Sequence, residues 1–172
     1  KEVKWVYGLG RIEIDEKNIV VRMFGTIQDI TEIKKAEEEI LKTKIHYQKL
    51  IENAPDGIVQ ISADGEFKYV SPSAKRIFGY PPNERVNERP DELTHPEDLP
   101  KVLGLISDLV NNSLIIPTIE YRFKDHNGNY LWIESTFTNL LNEPSVQAIV
   151  INFRDINFRK TAEAKLRTLS QA

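Results

Sequence analysis

The chain has 172 residues, 40% of them hydrophobic, a formal net charge of −3 and no cysteine. This length and hydrophobic content suffice for one core of ordinary size. The near balance of charge argues against binding to nucleic acid or to an anionic membrane. The lack of an apolar run of about 18 residues argues against a membrane span, so we expect no membrane contact in this fragment. The lack of cysteine excludes disulfides, thiol catalysis, thiolate metal sites and cofactors attached through sulfur.

Residues 1–28 have the pattern of a β-hairpin. Segments 4–14 and 19–27 are rich in β-branched and aromatic residues, and the polar turn Asp-Glu-Lys-Asn separates them. Two strands alone bury too little surface to be stable. We therefore expect the hairpin to pair with the intact domain or with a second chain, or else to be disordered.

Residues 29–52 are predicted to form one linker helix. Asp29 suits its N-cap, and Glu32, three residues later, suits a capping box. Apolar residues recur at the a and d positions of a heptad repeat, namely at Ile33, Ala36, Ile40, Tyr47 and Leu50. The pattern fits an amphipathic helix on its own domain and a parallel two-chain coiled coil equally well.

Residues 53–155 contain the elements of one complete domain. Strands are predicted at 57–62 and 66–71, followed by a helix with Ser71 at its N-cap and Pro72 at its first position. The longest helix is predicted to begin at Pro96. Three later strands are expected at residues 119–124, 130–141 and 146–154. This order predicts an α+β fold with a five-stranded antiparallel sheet, short helices on one face and flanking linker helices.

A repeat defines the organisation of the chain. The nine residues from Asp29 and the nine from Asp155 share five identities at a period of 126, and a tryptophan, Trp5 or Trp132, lies 24 or 23 positions before each aspartate. A period of this length indicates tandem domains rather than a solenoid. The predicted divisions are 1–28 for the C-terminal hairpin of a truncated preceding domain, 29–52 for a linker, 53–155 for a complete domain and 156–172 for a C-terminal linker helix. We expect both ends to lie inside a longer protein, since the sequence begins without Met.

Four short motifs follow one another in the complete domain. They are Tyr69-Val70-Ser71-Pro72-Ser73-Ala74 with Phe78-Gly79-Tyr80, then Thr94-His95-Pro96-Glu97-Asp98-Leu99, then Glu120-Tyr121-Arg122-Phe123 with Asn127-Gly128 and Trp132-Ile133, and finally Asp155-Ile156-Asn157, which repeats Asp29-Ile30-Thr31. Together and in this order they resemble the motifs of the PAS (sensory box) family, and the combination is far more specific than any one of them.

The resemblance implies a cytoplasmic sensory or signal-relay module that passes conformational change through its flanking helices. PAS domains commonly occur in series in histidine kinases of two-component systems, so the resemblance implies such a parent, with adjacent PAS and output domains in the same chain. The alternative is a ligand- or cofactor-binding sensor, for a small metabolite, non-covalent flavin or haem, in a cyclase or transcriptional regulator. The heptad pattern of the linker predicts, in addition, a homodimer that forms through the linker helices.

The last strand is predicted to pass into the exit helix without slack. Asp155 would cap the helix and act as the pivot through which the sheet moves it. The predicted signalling junction comprises Asp29, Thr31, Asp155, Asn157 and Trp132.

No catalytic constellation or phosphate-binding loop stands out, so we expect this fragment not to be an enzyme. The histidines His46, His95 and His126 lack metal-ligand spacing, and we predict no metal site and no cofactor. The alternative is a small ligand of unknown identity. Its pocket would be lined by Ile58, Ile77, Leu103, Ile106, Tyr121 and Ile149, and we favour the interpretation of these residues as ordinary core.

Overall fold

The structure, a computed structural model, describes residues 3–112 and 114–170, with only the backbone of Ser170. The ends of the predicted hairpin and exit-helix segments, residues 1–2 and 171–172, lie outside the described residues. The chain divides into two compact units, Lys1–Lys49 and Leu50–Ala172. In the described part of the chain, no helix is both long and apolar enough to cross a membrane.

The first unit contains an antiparallel hairpin of β1 (Val6–Ile14) and β2 (Val20–Asp29), after which α1 (Thr31–Glu52) begins. The Asp15 carboxylate accepts a hydrogen bond from the backbone N–H of Ile19 at 2.9 Å, which stabilises the turn. Side chains on both faces of the hairpin are exposed. The hairpin therefore has no core of its own, as expected for two strands.

The second unit is built on five strands. They are β3 (Gly57–Ile61), β4 (Phe67–Val70), β5 (Thr118–Lys124), β6 (Tyr130–Leu140) and β7 (Ala148–Asp155). The helices are α2 (Pro72–Ile77), α3 (Pro90–Leu93), α4 (Leu99–Asn111) and α5 (Asn157–Ser170). All strand pairs are antiparallel, in the order β4-β3-β7-β6-β5. The predicted α+β fold with a five-stranded antiparallel sheet is confirmed.

Alternation along the strands separates a buried face of the sheet from an outer face. On β5, Tyr121 and Phe123 are buried, whereas Glu120 and Arg122 point to the other side and are half-buried. This is the alternation that the sequence predicted. The largest fully buried apolar side chains are Ile61, Leu109, Ile133, Phe137 and Ile149.

The start of α2 agrees with the sequence prediction, whereas the starts of α1, α4 and α5 differ. Helix α5 begins at Asn157, because Asp155, predicted to cap it, is still paired with Ile133 at the end of β7. The Ser71 hydroxyl accepts a hydrogen bond from the backbone N–H of Ala74 at 3.1 Å, so α2 is capped as predicted. The longest helix, α4, was predicted to begin at Pro96, but the His95 carbonyl closes a turn there and α4 begins at Leu99. The short helix α3 was not predicted.

The linker helix α1 begins two residues later than predicted. Asp29 is still paired with Val6 in the hairpin and therefore ends β2 rather than capping the helix. The Glu32 carboxylate, predicted to close a capping box, binds Lys35 at 3.2 Å instead. The helix thus starts at Thr31, and only Ile30 separates it from the end of β2.

Candidate functional site

The predicted junction residues at the exit of the second unit are joined by hydrogen bonds. The Asp155 carboxylate accepts from the backbone N–H of Asn157 at 2.7 Å, and the Asn157 side-chain oxygen accepts from the backbone N–H of Trp132 at 2.9 Å. Between them, the backbone N–H of Ile156 donates to the Trp132 carbonyl at 2.9 Å, and the Ile156 side chain is buried. Strands β6 and β7 are therefore both tied to the first residue of α5.

The start of α1 in the first unit has the same pattern of bonds. The Asp29 carboxylate accepts from the backbone N–H of Thr31 at 3.0 Å, and the Thr31 hydroxyl oxygen accepts from the backbone N–H of Trp5 at 3.0 Å. The backbone N–H of Ile30 donates to the Trp5 carbonyl at 2.9 Å. Threonine and asparagine both offer a side-chain oxygen at this position, so a change of residue preserves the geometry.

The carboxyl group at the first junction is acidic beyond the ordinary range. Hydrogen bonds from Thr31, helped by Lys4 at 3.1 Å, lower the pKa of Asp29 to about 2. A carboxylate that accepts hydrogen bonds in its charged form resists protonation. Asp29 therefore remains a hydrogen-bond acceptor throughout the neutral range.

A second network, in the five-stranded unit, runs from the edge strand β5 to the junction at Trp132 and Asp155. The Arg122 guanidinium binds Asp98 through two bonds of 2.9 Å and Glu97 at 2.7 Å, and it lies 5.3 Å from the centre of the Trp132 ring. On the same ring, the ammonium group of Lys160 lies 4.9 Å from the centre. Cations over an indole face are attracted by its electrons. The turn before α4 is thus connected through Trp132 to the first turn of α5.

Two acidic side chains complete this outer surface. Glu120 of β5 and Glu134 of β6 are directly opposite in register, and Arg159 of α5 contacts both. Lys160 also contacts Glu120. The sequence prediction missed these contacts. The turn at Asn127-Gly128 fixes the register of the two strands, and this register with alternation could have placed both glutamates side by side.

A cavity of about 50 Å³ lies between the helices and the inner face of the sheet. Its lining is apolar apart from a few groups, among them the Tyr121 hydroxyl, which accepts a hydrogen bond from the buried Ser135 at 3.2 Å. Burial raises the pKa of Tyr121 to about 12, so this hydroxyl stays protonated. Pockets for drug-sized ligands occupy roughly 300–1,000 Å³. The cavity as it stands does not fit a flavin or a haem.

The six residues predicted to line a pocket are not all brought together. Ile106 and Tyr121 line the cavity. Ile149 is fully buried and Ile77 half-buried, and both pack in the core away from it. Ile58 differs from the prediction, because β3 turns Val59 and Ile61 inward and Ile58 therefore lies on the other face. Leu103 is 50% exposed on α4.

The histidines have local contacts. His95 Nδ1 accepts a hydrogen bond from the backbone N–H of Glu97 at 3.2 Å, and its ring lies 4.5 Å from the ring of Tyr130. His126 lies beside Tyr80 in the same edge-on arrangement, with ring centres 4.8 Å apart. Within residues 3–112 and 114–170, no group of three or more acidic or histidine side chains is arranged to hold a metal ion.

Comparison with known proteins decides the family. The family model described as the PAS fold matches residues 67–151, which run from β4 to β7. The five-stranded unit is a PAS domain. A solved sensory box histidine kinase/response regulator from Burkholderia thailandensis is 27% identical, with a TM-score of 0.58, and the match covers 73% of this chain and 95% of that one.

Two further relatives extend the comparison. The PAS domain of an HTR-like protein from Haloarcula marismortui has a TM-score of 0.60 at 22% identity, covering 72% of this chain and 99% of that one, which supports the fold alone. A blue light receptor, lreA, from Aspergillus flavus is 30% identical over 129 residues. That match covers 74% of this chain but spans only 15% of the length of the receptor. The PAS domain is thus a sensory domain of a kind that occurs within larger proteins.

Proposed function

We propose that this chain is a signal-relay module in which the PAS domain sets the direction of α5. The observation that carries the proposal is the recurrence of one junction at two sites whose aspartates are 126 residues apart. At each site an aspartate carboxylate accepts a hydrogen bond from the backbone N–H of a Thr or Asn, and the side-chain oxygen of that residue accepts one from the backbone N–H of a tryptophan. A solvent-exposed turn needed only to reverse the chain would have no reason to repeat in this detail.

The mechanism follows from the short connection between β7 and α5. Only Ile156 separates the end of β7 from the start of α5, and its side chain is buried. Asn157 holds the helix start to β6 while Asp155 holds it to β7. A shift of one strand against the other would therefore tilt or rotate α5 about this pivot.

We further propose that residues 1–28 are the C-terminal hairpin of an earlier PAS domain and residues 29–52 its exit linker. In the complete domain, β6 pairs with β5 and β7 pairs with β3. By analogy, the outer edges of β1 and β2 would pair with strands of that earlier domain, which would also cover the exposed side chains of the hairpin. Residues 53–155 and 156–172 would be the second domain and its linker.

The parent protein is proposed to be a cytoplasmic histidine kinase of a two-component system. The similar sensory box histidine kinase/response regulator supports this proposal. Dimerisation would run through the linker helices, since α1 exposes Ile33, Ile40 and Tyr47 at heptad spacing. In this arrangement the chain itself would be regulatory, and catalysis would belong to an output domain. A cyclase or transcriptional regulator is the alternative parent.

The test is the output activity of a longer protein that carries this chain, with the substitution Asp155→Ala. We expect a changed basal output, because Asp155→Ala removes the hydrogen bond from the backbone N–H of Asn157 to the Asp155 carboxylate, which helps to orient α5. We expect the PAS fold to survive the substitution. Asp108→Ala is the matched control, since Asp108 is exposed on α4 and makes the same change in charge. Equal output from the two variants would contradict the relay.

The cavity supports ligand sensing as a second function. As it stands, about 50 Å³ admits a ligand of a few heavy atoms. A larger ligand would require the helices to move, and that movement would itself be a signal. Native mass spectrometry and an absorption spectrum of the purified protein would detect such a ligand. A spectrum without cofactor bands and a mass equal to that of the chain alone would argue against this second function.

A further inference from the structure

The glutamates on the outer face of the PAS sheet form an arrangement that is unfavourable by itself. Glu120 and Glu134 are cross-strand neighbours in the pairing of β5 with β6. Like charges directly opposite one another destabilise a strand pair. Their side chains are only 35% and 27% exposed, so water screens the repulsion incompletely.

The first turn of α5 supplies the compensating charge. The Arg159 guanidinium contacts both carboxylates, and the Lys160 ammonium contacts Glu120 while lying over the Trp132 ring. Lys160 is the main cause of the lowered pKa of Glu120. One cationic turn of helix is thus held by both strands at once, which is a stronger arrangement than a single surface ion pair.

The first unit provides an internal comparison. Counted from the aspartates of the repeat, Ile33 and Lys34 stand where α5 has Arg159 and Lys160. Counted from the tryptophans, Tyr7 stands where β6 has Glu134. The hydrogen-bonded pivot is therefore common to both junctions, whereas the charged contact occurs at the second one.

We infer that Glu120, Glu134, Arg159 and Lys160 form an electrostatic latch that docks α5 on the outer face of the PAS sheet. Release of α5 would leave the two glutamates facing each other and weaken the β5–β6 pairing. Docking of the helix and the position of the edge strand β5 are consequently coupled, and the coupling acts equally in both directions. Because Tyr121 and Phe123 of β5 line the cavity, the latch also links α5 to the interior.

The test is amide hydrogen exchange of residues 157–170, measured by mass spectrometry. In Arg159→Glu we expect exchange of this helix to rise by about five- to tenfold, given the modest strength of partly exposed ion pairs. Lys165→Glu is the matched control, since it makes the same charge change on the exposed side of the same helix. The exchanged pair Glu134→Arg with Arg159→Glu restores opposite charges and should restore protection.

Two results would overturn the latch. One is equal exchange of α5 in Arg159→Glu and Lys165→Glu, with exchange of β3 unchanged as the measure of an intact fold. The other is failure of the exchanged pair to recover protection. The latch rests on the proposed relay only for its role in signalling. The exchange experiment measures only the docking of α5 and does not depend on output activity. It can therefore contradict the latch while the Asp155→Ala test supports the relay, or support the latch while that test contradicts the relay.

Discussion

The contact between Asp98 and Arg122 could not be predicted from the sequence motif that contains Asp98. The motif from Thr94 to Leu99 predicted a helix beginning at Pro96, which would place the carboxylate of Asp98 in the first turn of that helix. In the structure, Asp98 instead binds the backbone N–H and the guanidinium of Arg122. This pairing depends on the turn lying along the edge of β5, where Thr94 bridges Phe123. No periodicity in the sequence specifies such a contact, because it joins residues that are distant in the chain.

The same pair predicts how stability depends on pH. Arg122 lowers the pKa of Asp98 and of Glu97 below their ordinary values. Their contribution to stability is therefore present above about pH 4.5 and is lost as the pH falls through the lowered pKa values. Asp98→Asn should melt at a lower temperature than the unmodified chain at pH 7, and the difference should shrink toward pH 3. A difference in melting temperature that stays constant from pH 7 to pH 3 would contradict the stabilising role of the Asp98–Arg122 pair. The same pH dependence in Asp108→Asn would contradict it as well.

Strands and helices were predictable where one face is polar. The alternation of β5 gave its inward side chains correctly, because charged residues occupy the other face. On β3, apolar residues occur at positions 58, 59 and 61, so the pattern left the inward face undecided and Ile58 was placed in the pocket by mistake. The repeat directed attention to the junction residues, and their role as a pivot stays a prediction. The latch was missed because its four members lie on three separate elements.

Two glycines test the packing of these elements. A methyl group on Gly57 would overlap the Phe153 ring, and that ring is stacked on Phe78 with centres 4.8 Å apart. Gly57→Ala should therefore destabilise the domain by about 1–3 kcal/mol through overpacking. Gly104 lies in α4 with open space around it, so Gly104→Ala should stabilise by up to about 1 kcal/mol. Urea unfolding measures both, and changes of the same sign would show that the packing is described incorrectly.

At the scale of the whole molecule, the repeat was the most informative feature of the sequence. It predicted two homologous junctions, and both have the same hydrogen bonds. The size of the cavity could not be predicted, since it depends on how the side chains of α2, α4 and the sheet fill one volume. The proposed relay would have two parts, a pivot shared by both junctions and a latch at the second.

The central claim is that the PAS domain fixes the direction of α5, and the chain is well suited to a direct test because it lacks cysteine. Spin labels on cysteines introduced at Asn127 and Lys165 would report the distance between the domain and the helix. We predict one narrow distance distribution, which broadens in the double variant Asp155→Ala/Asn157→Ala but not in Asp108→Ala. A broad distribution in the chain with an intact junction, or a narrow one that survives the double substitution, would contradict the account.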